Sequence, residues 1–562
     1  MRVDWRSAGR RCGLLLALSG CAPAPDPADL VFQGGTIWTA DPANPTAEAV
    51  AVRDGRIVFV GPAVGADPLI GSETEVVELG EGMLVPGFHD THVHPVSGGV
   101  ELADCDLNAA ASREDVVRLV TECAARDPEA PWIRGGGFQL PIFPEGAPTR
   151  QLLDSLVPDR PAYLSSADGH SAWVNSRALE LAGVTAGTPD PPPDGVIVRD
   201  GDGRPQGTLR ESAMGLVARH VPPHTPGQVT EGLERALAMA ASFGITTLHE
   251  ASAGEAYLEA YRRVEEEGRL TARAAVALLV DTDRGTEQVA ELAALRDRYM
   301  GTLVRPVAAK IFVDGVIEGQ TAALLEPYSD RPDWRGELNL HPDSLAALVA
   351  ALDDAGFKVH LHTIGDRAIR VALDAFEAQH LRDAGAGPRH IMSHIQLFHP
   401  DDIPRFAALG VVASFQPLWF YADTYITDLT EPRLGPDRSR WLYPARSVWD
   451  AGALVAGGSD WSVTSMNPLL AMETAVTRRD PNRDDGPSWR PEQRLTVEEV
   501  LTAYTLNGAV AGDMDHETGS VAVGKSADLV VLDTDLFAVP PEGISDARVE
   551  MTVFRGRVVY RR

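Results

Sequence analysis

Two histidines one residue apart, His92 and His94, follow the apolar run Leu84-Val85-Pro86-Gly87-Phe88 through His89-Asp90-Thr91. Residues i and i+2 of an extended strand share a face, so both imidazoles aim at one point. Neutral imidazole is a preferred ligand of zinc and its divalent neighbours. His89 has the opposite parity and points away. With 15 histidines in the chain, such a pair carries weight only with company. The same kinds of residue recur downstream at the ends of apolar runs: Lys310, His362, His394 and Asp460.

Positioning such residues requires a repeated scaffold. Apolar runs ending in polar residues occur at Leu84 to Asp90, Ala162 to Ser166, Ile245 to His249, Ala272 to Leu279, Val307 to Val313, Phe357 to His362, His390 to His394, Val411 to Phe415 and Ala453 to Ala456. Helical stretches alternate with them, which predicts an α/β protein with a parallel sheet. A (β/α)8 TIM-like barrel takes eight strands, so one run is an intruder, and Ala162 to Ser166 is set aside. It lies in a Pro-, Gly- and Asp-rich stretch, about 102–228, read as a large insertion after strand one that overhangs the mouth. The candidate residues then fall at C-terminal strand ends, where barrel enzymes keep their chemistry. By parity, His360 shares the inward side with His362, and His390 with His394.

The two chain ends carry a different pattern. Short β runs flank Asp54-Gly55 near the start and Arg555-Gly556 near the end, and such dipeptides mark tight hairpins. Neither end has enough strands to bury a core alone. They are read as one small β-sandwich domain (30–81 and 513–562), with the barrel (82–512) inserted between. The formal net charge of −30 argues against nucleic acid as a partner.

The first residues read as a targeting segment. Arg2, Arg6, Arg10 and Arg11 precede the apolar Gly13 to Leu18, and Leu18-Ser19-Gly20-Cys21 resembles a lipobox. Residues 1–20 are then a lipoprotein signal, Cys21 the lipidation site, and 21–29 a tether. This predicts an exported lipoprotein, held at a bacterial membrane by the lipid anchor only, on the periplasmic or cell-surface side. An ordinary secretory signal or an apolar N-terminal helix is the alternative. Cys105 and Cys123 remain in the mature chain, either bridged or as two buried thiols.

Seven stretches together resemble the amidohydrolase superfamily, and within it amidohydrolase family 3, the group of N-substituted formamide deformylase-like proteins. They are Pro86 to His94, Asp168-Gly169-His170-Ser171-Ala172-Trp173-Val174-Asn175-Ser176, Lys310 to Gly315, His362-Thr363-Ile364-Gly365-Asp366-Arg367-Ala368, Ser393 to Gln396, Ser414-Phe415-Gln416-Pro417 and Gly457 to Asp460. The resemblance implies that His92, His94, His362 and His394 are metal ligands, and that Asp460 binds metal or solvent and moves protons. It implies one or two divalent ions, zinc foremost. A divalent ion lowers the pKa of bound water to about 7 and polarises a carbonyl. For Lys310 it implies a CO2-derived carboxylate bridging two ions, since an ammonium beside a dication is repelled. The other reading pairs Lys310 with Asp314 or Glu337 beside a single ion.

Substrate contacts are expected from His170, an oxyanion donor unless its hydrogen bonds only hold the insertion together, and from Trp173, His249, Gln416, Trp419 and Trp461. Aromatic residues in loops on the active face suit an apolar substrate group. Asp366 and Arg367 are expected to orient the loop after strand five through an ion pair. The expected reaction is hydrolysis of a C–N bond in a formamide, acylamide or cyclic amide of small size. An ester or lactone hydrolase with the same site is the alternative, as is a lipid-anchored binding protein without turnover. A homodimer is one assembly open to the chain.

Overall fold

A computed structural model describes residues 26–191, 195–383, 387, 389–483 and 486–562. The expected signal segment and Cys21 lie outside the described residues. Eight parallel strands, in sequence order around the sheet, form the barrel: Phe88–Val93, Ile245–Ala253, Arg273–Leu279, Val304–Phe312, Lys358–Thr363, Ile391–His394, Val412–Phe415 and Leu454–Gly457. Between the first and last strands, Asp460 N–H donates to the His92 carbonyl at 2.7 Å and His94 N–H to that of Trp461 at 3.0 Å. Helices cover the outside, and their apolar faces merge with the outward strand residues in the largest core cluster. The helix Pro226–Ser242, which leads into the second strand, opens with a capping box between Thr225 and Gln228.

The run Leu84 to Asp90, read from sequence as one strand, is two. Met83–Pro86 pairs with Leu529–Leu532 in the terminal sheet, whereas Phe88–Val93 opens the barrel. Gly87 passes the chain between the sheets. A Cβ there would meet Thr246 Oγ1 at 2.1 Å, so only glycine fits. Continuous hydrophobicity hid the break because both segments are fully buried.

The strands of the two chain ends form one hydrogen-bonded sheet of eight. It folds over a core in which Leu30, Phe32 and Val50 from one end pack with Leu529, Val531 and Val553 from the other. Each half thus supplies the apolar surface the other lacks. Both dipeptide turns adopt the predicted hairpin geometry, with positive φ at Asp54 and Gly55 and at Arg555 and Gly556. The two turns abut: a Cβ on Gly556 would lie 2.6 Å from the Gly55 Cα.

Ala162–Ser166 belongs to a separate six-stranded sheet whose edge strands are Cys105–Asp106 and Val196–Arg199. This is the insertion after the first strand. Its core contains Phe138, Phe143, Leu164 and Trp173, and Cys105 and Cys123 are joined by a disulfide with Cα atoms 5.5 Å apart. Tyr425, from the loop after strand seven, accepts the Leu140 N–H at 3.1 Å. The insertion and that loop therefore roof the barrel mouth together.

Candidate active site

The first strand delivers His92 and His94, and the chain leaving the eighth delivers Asp460. His92 Nε2 and His94 Nε2 lie 3.3 and 3.2 Å from the same Asp460 oxygen, Oδ1. Among the described residues, His92, His94 and Asp460 form a group with ligand atoms mutually within 4.8 Å. His394 ends strand six with Nδ1 3.9 Å from Asp460 Oδ2, and its ring centroid is 4.5 Å from that of His92 and 4.6 Å from that of His362. Four imidazoles and one carboxylate thus meet at the C-terminal mouth. Two of the five sit at left-handed backbone angles, His394 at φ 71° and Asp460 at φ 54°. Such angles cost non-glycine residues energy and cluster at functional sites.

A divalent cation suits these donors. Burial, reinforced by neighbouring imidazoles and Lys310, keeps His92, His362 and His394 neutral, with pKa values well below the usual histidine range. His394 Nδ1 is 3.0 Å from Gln416 Oε1; donation to that oxygen leaves the Nε2 lone pair free. His362 Nδ1 is buried without a hydrogen-bond partner. Burial would raise the Asp460 carboxyl, but His394, His94 and Lys310 outweigh it and hold Asp460 ionised. Neutral nitrogen donors around a carboxylate are a zinc-type set.

Lys310 is wholly buried, with Nζ 3.3 Å from His92 Nε2 and 4.8 Å from the Phe312 ring centre. Burial pulls its pKa down to about 7. It makes no ion pair with Asp314, which instead accepts the N–H groups of Ile364, Gly365 and Ala323 and lies 3.6 Å from His362 Nδ1. Asp314 therefore positions the His362 loop.

The insertion brings His170 over the site, its ring centroid 5.2 Å from that of His362. Its Nδ1 pairs with Glu211 Oε2 at 2.8 Å. Burial opposes charge on this imidazole, but the Glu211 carboxylate outweighs it and lifts the pKa to about 9. Trp419 stacks on His394, centroids 5.6 Å apart at 10°, and stays half-buried as a wall of the mouth.

Other expected contacts fall elsewhere. Trp173 is a core residue of the insertion: fully buried, packed on Phe138 and Phe143, with its indole N–H on the Thr149 carbonyl at 2.9 Å. Alternation along a short strand put it inside its own sheet. His249 faces a small, mainly apolar space in the lower barrel that Glu250, Lys358 and His360 also line. Gln416 holds the His394 ring, and Trp461 lies on the backbone of Gly98. His390 is not inward; its ring stacks on the helix residue Phe376 at 4.6 Å. Asp366 orients its loop by accepting the Leu325 N–H at 2.8 Å, so a backbone contact stands where the ion pair with Arg367 was expected.

Two carboxylates escaped the sequence reading. Glu250 lies 3.9 Å from His94 Nδ1, and burial pushes its pKa to about 8. Glu211 lies 41 residues from the histidine it charges. Glu250 had a signal, an acid directly after the strand-two histidine, but parity favoured His249. The strand pairing is irregular between Leu248 and Glu250, which defeats a simple alternation.

The amidohydrolase family model matches residues 75–560. The chain is 32% identical over 543 residues to the protein YtcJ of Bacillus subtilis, covering 94% of this chain and 99% of that one. It is 28% identical over 548 residues to the N-substituted formamide deformylase of Arthrobacter pascens, covering 95% and 98%. An uncharacterized metal-dependent hydrolase from Pyrococcus furiosus superposes with a TM-score of 0.69 at 26% identity, covering 90% and 99%. With a barrel mouth built from four imidazoles and a carboxylate, these matches identify the chain as a member of the amidohydrolase family and a metal-dependent amidohydrolase.

Proposed function

We propose that the enzyme hydrolyses a C–N bond in a small amide: a formamide, acylamide or cyclic amide. The observation that carries this reading is the Asp460 carboxylate facing His92 and His94 through one oxygen, opposite the His170–Glu211 pair. The likeness to an N-substituted formamide deformylase over 95% of the chain supports an amide as substrate.

His92, His94, His362, His394 and Asp460 would hold one or two divalent ions, zinc by their donor chemistry. When bound, the ion would acidify water and polarise the scissile carbonyl. Asp460 takes the proton from the attacking water and returns it to the departing nitrogen, which a cleaved amide requires. His170, charged by Glu211 through Nδ1, keeps Nε2–H as a donor for the oxygen that gains charge. Trp419 and the roof exclude bulk solvent and set the apolar side of the pocket. Lys310 is read as carboxylated: its Nζ faces His92 with no carboxylate in contact among the described residues, and an ammonium there would repel the ion. The mature chain is read as a lipoprotein anchored through Cys21.

The test is a panel of N-formyl amines, N-acyl amines, cyclic amides and esters, assayed with zinc-loaded protein and with Asp460→Asn. Turnover of an amide by the wild type alone supports the proposal. Turnover of esters and no amide would transfer it to C–O bonds.

A further inference from the structure

At the opposite end of the barrel from the mouth, a cleft of about 660 Å3 separates the terminal sheet from the N-terminal ends of the third and fourth barrel strands. That volume is in the range of small-molecule sites. Four arginines line it, Arg56, Arg273, Arg555 and Arg557, on a chain whose net charge is −30. Arg273 is buried at 1% exposure and engaged by Asp528 and Glu517, and Glu517 also takes Arg305 at 2.9 Å. Those two arginines and two acids neutralise one another, and of them Arg273 and Glu517 line the cleft.

The other three arginines stand at the rim and have no carboxylate partner among the described residues. Arg56 is steadied by the Gly524 carbonyl at 2.8 Å and Arg557 by the Leu270 carbonyl at 3.2 Å. Each keeps guanidinium N–H groups unengaged. Arg555 occupies the tight turn that abuts the Asp54-Gly55 turn. Besides Glu517, which Arg273 and Arg305 already neutralise, the lining offers two carboxylates against these three charges, Asp54 and Glu265, and Glu265 already accepts the Leu303 N–H at 2.7 Å. The rim therefore carries about one unit of positive charge. A guanidinium fork matches phosphate oxygens, and a phosphodiester carries a single negative charge.

The chain enters the fold beside this cleft. The Asp26 carbonyl accepts from Arg53 at 2.7 Å, and the Asp29 carboxylate accepts the N–H of Asp54 at 2.8 Å. On the lipobox reading, the anchored Cys21 is five residues before Asp26, within roughly 18 Å even for extended chain. We propose that this cleft binds the phosphodiester headgroup of an anionic phospholipid. The terminal sheet then faces the membrane, and the active mouth faces away from it. Juxtamembrane arginines gain affinity from anionic surfaces in this way.

The test titrates the full chain with dihexanoylphosphatidylglycerol below its micelle concentration, alongside dihexanoylphosphatidylcholine and inorganic phosphate, by calorimetry. A second series uses Arg56→Gln/Arg557→Gln, with its melting temperature and amidase rate measured as checks on folding. Saturable binding of the anionic lipid is expected, with affinity falling about thirtyfold in the double variant at roughly fivefold per arginine and the amidase rate unchanged. Arg555→Asn, which suits the left-handed turn position, should weaken binding alone if the double variant is unfolded. Equal binding of phosphatidylcholine, or no loss in any folded variant, overturns the proposal. Inorganic phosphate binding as tightly as the lipid overturns the membrane assignment and leaves a soluble phosphate site.

Discussion

The Asp90 carboxylate accepts the backbone N–H of Ser459 at 2.9 Å and, through the same oxygen, that of His92 at 3.2 Å. One buried side chain thus fixes the end of strand eight to the end of strand one, and so Asp460 to His92. Burial lifts the Asp90 pKa to about 7, so a neutral acceptor already serves near neutrality. Asp90→Asn is expected to keep kcat within about threefold. Asp90→Ala leaves two N–H groups unsatisfied, a cost of about 1–3 kcal/mol each, and should cut kcat by about 10–100-fold through misplaced ligands. Steady-state kinetics and metal content on both variants decide this; equal loss in the two would show that the charge itself is needed.

In the proposed mechanism, His170 would act on the developing oxygen while Glu211 holds it charged. Glu211→Gln removes the stabilising carboxylate, so burial should return the imidazole to its neutral form at pH 8. Loss of about 10²–10³ in kcat is expected for His170→Ala, the scale of a lost oxyanion donor, and a smaller loss for Glu211→Gln. The latter should recover toward lower pH as His170 takes up a proton. A pH–rate profile identical in shape to the wild type would remove this role.

The Cys105–Cys123 bridge lies in the insertion that carries His170. Closing a loop of this length stabilises by about 3 kcal/mol. Cys123→Ser should lower the unfolding free energy of the insertion by about that amount and expose it to limited proteolysis, with the barrel intact. Unfolded wild type without reductant should take up no alkylating agent at either cysteine. Full alkylation of both contradicts the bridge.

Stability near neutral pH depends in part on Glu517, and this part is lost on acidification. Burial raises its carboxyl, but Arg273 and Arg305 outweigh that and hold it below the usual carboxylate range. A depressed folded pKa contributes stability above the unfolded value, lost as pH falls through the folded one. Glu517→Gln should therefore lower the urea midpoint at pH 7 while matching the wild type at the acid end. A constant gap across pH would mean that packing, not charge, is lost.

Much of the site was legible because the candidate metal-binding residues gather at strand ends, and strand ends show as apolar runs stopped by histidine. His92, His94, His362 and His394 were visible for this reason, and Asp54-Gly55 because only certain residues accept a left-handed turn. What stayed hidden depends on the third dimension. Gly87 divides two strands that are equally buried, so hydrophobicity does not change where the sheet does. Glu211 meets His170 through a neighbouring antiparallel strand, and Glu250 faces His94 where the pairing slips. Gln416 and Trp173 were recognised as special, but their neighbours make one a support for His394 and the other a core residue.

The direct test of the central claim is zinc-edge anomalous diffraction on crystals of the zinc-loaded enzyme. One or two peaks are predicted at about 2.0–2.2 Å from nitrogens of His92, His94, His362 and His394 and an oxygen of Asp460. A zinc peak outside this cluster, or full amidase activity in metal-free protein, would contradict the account.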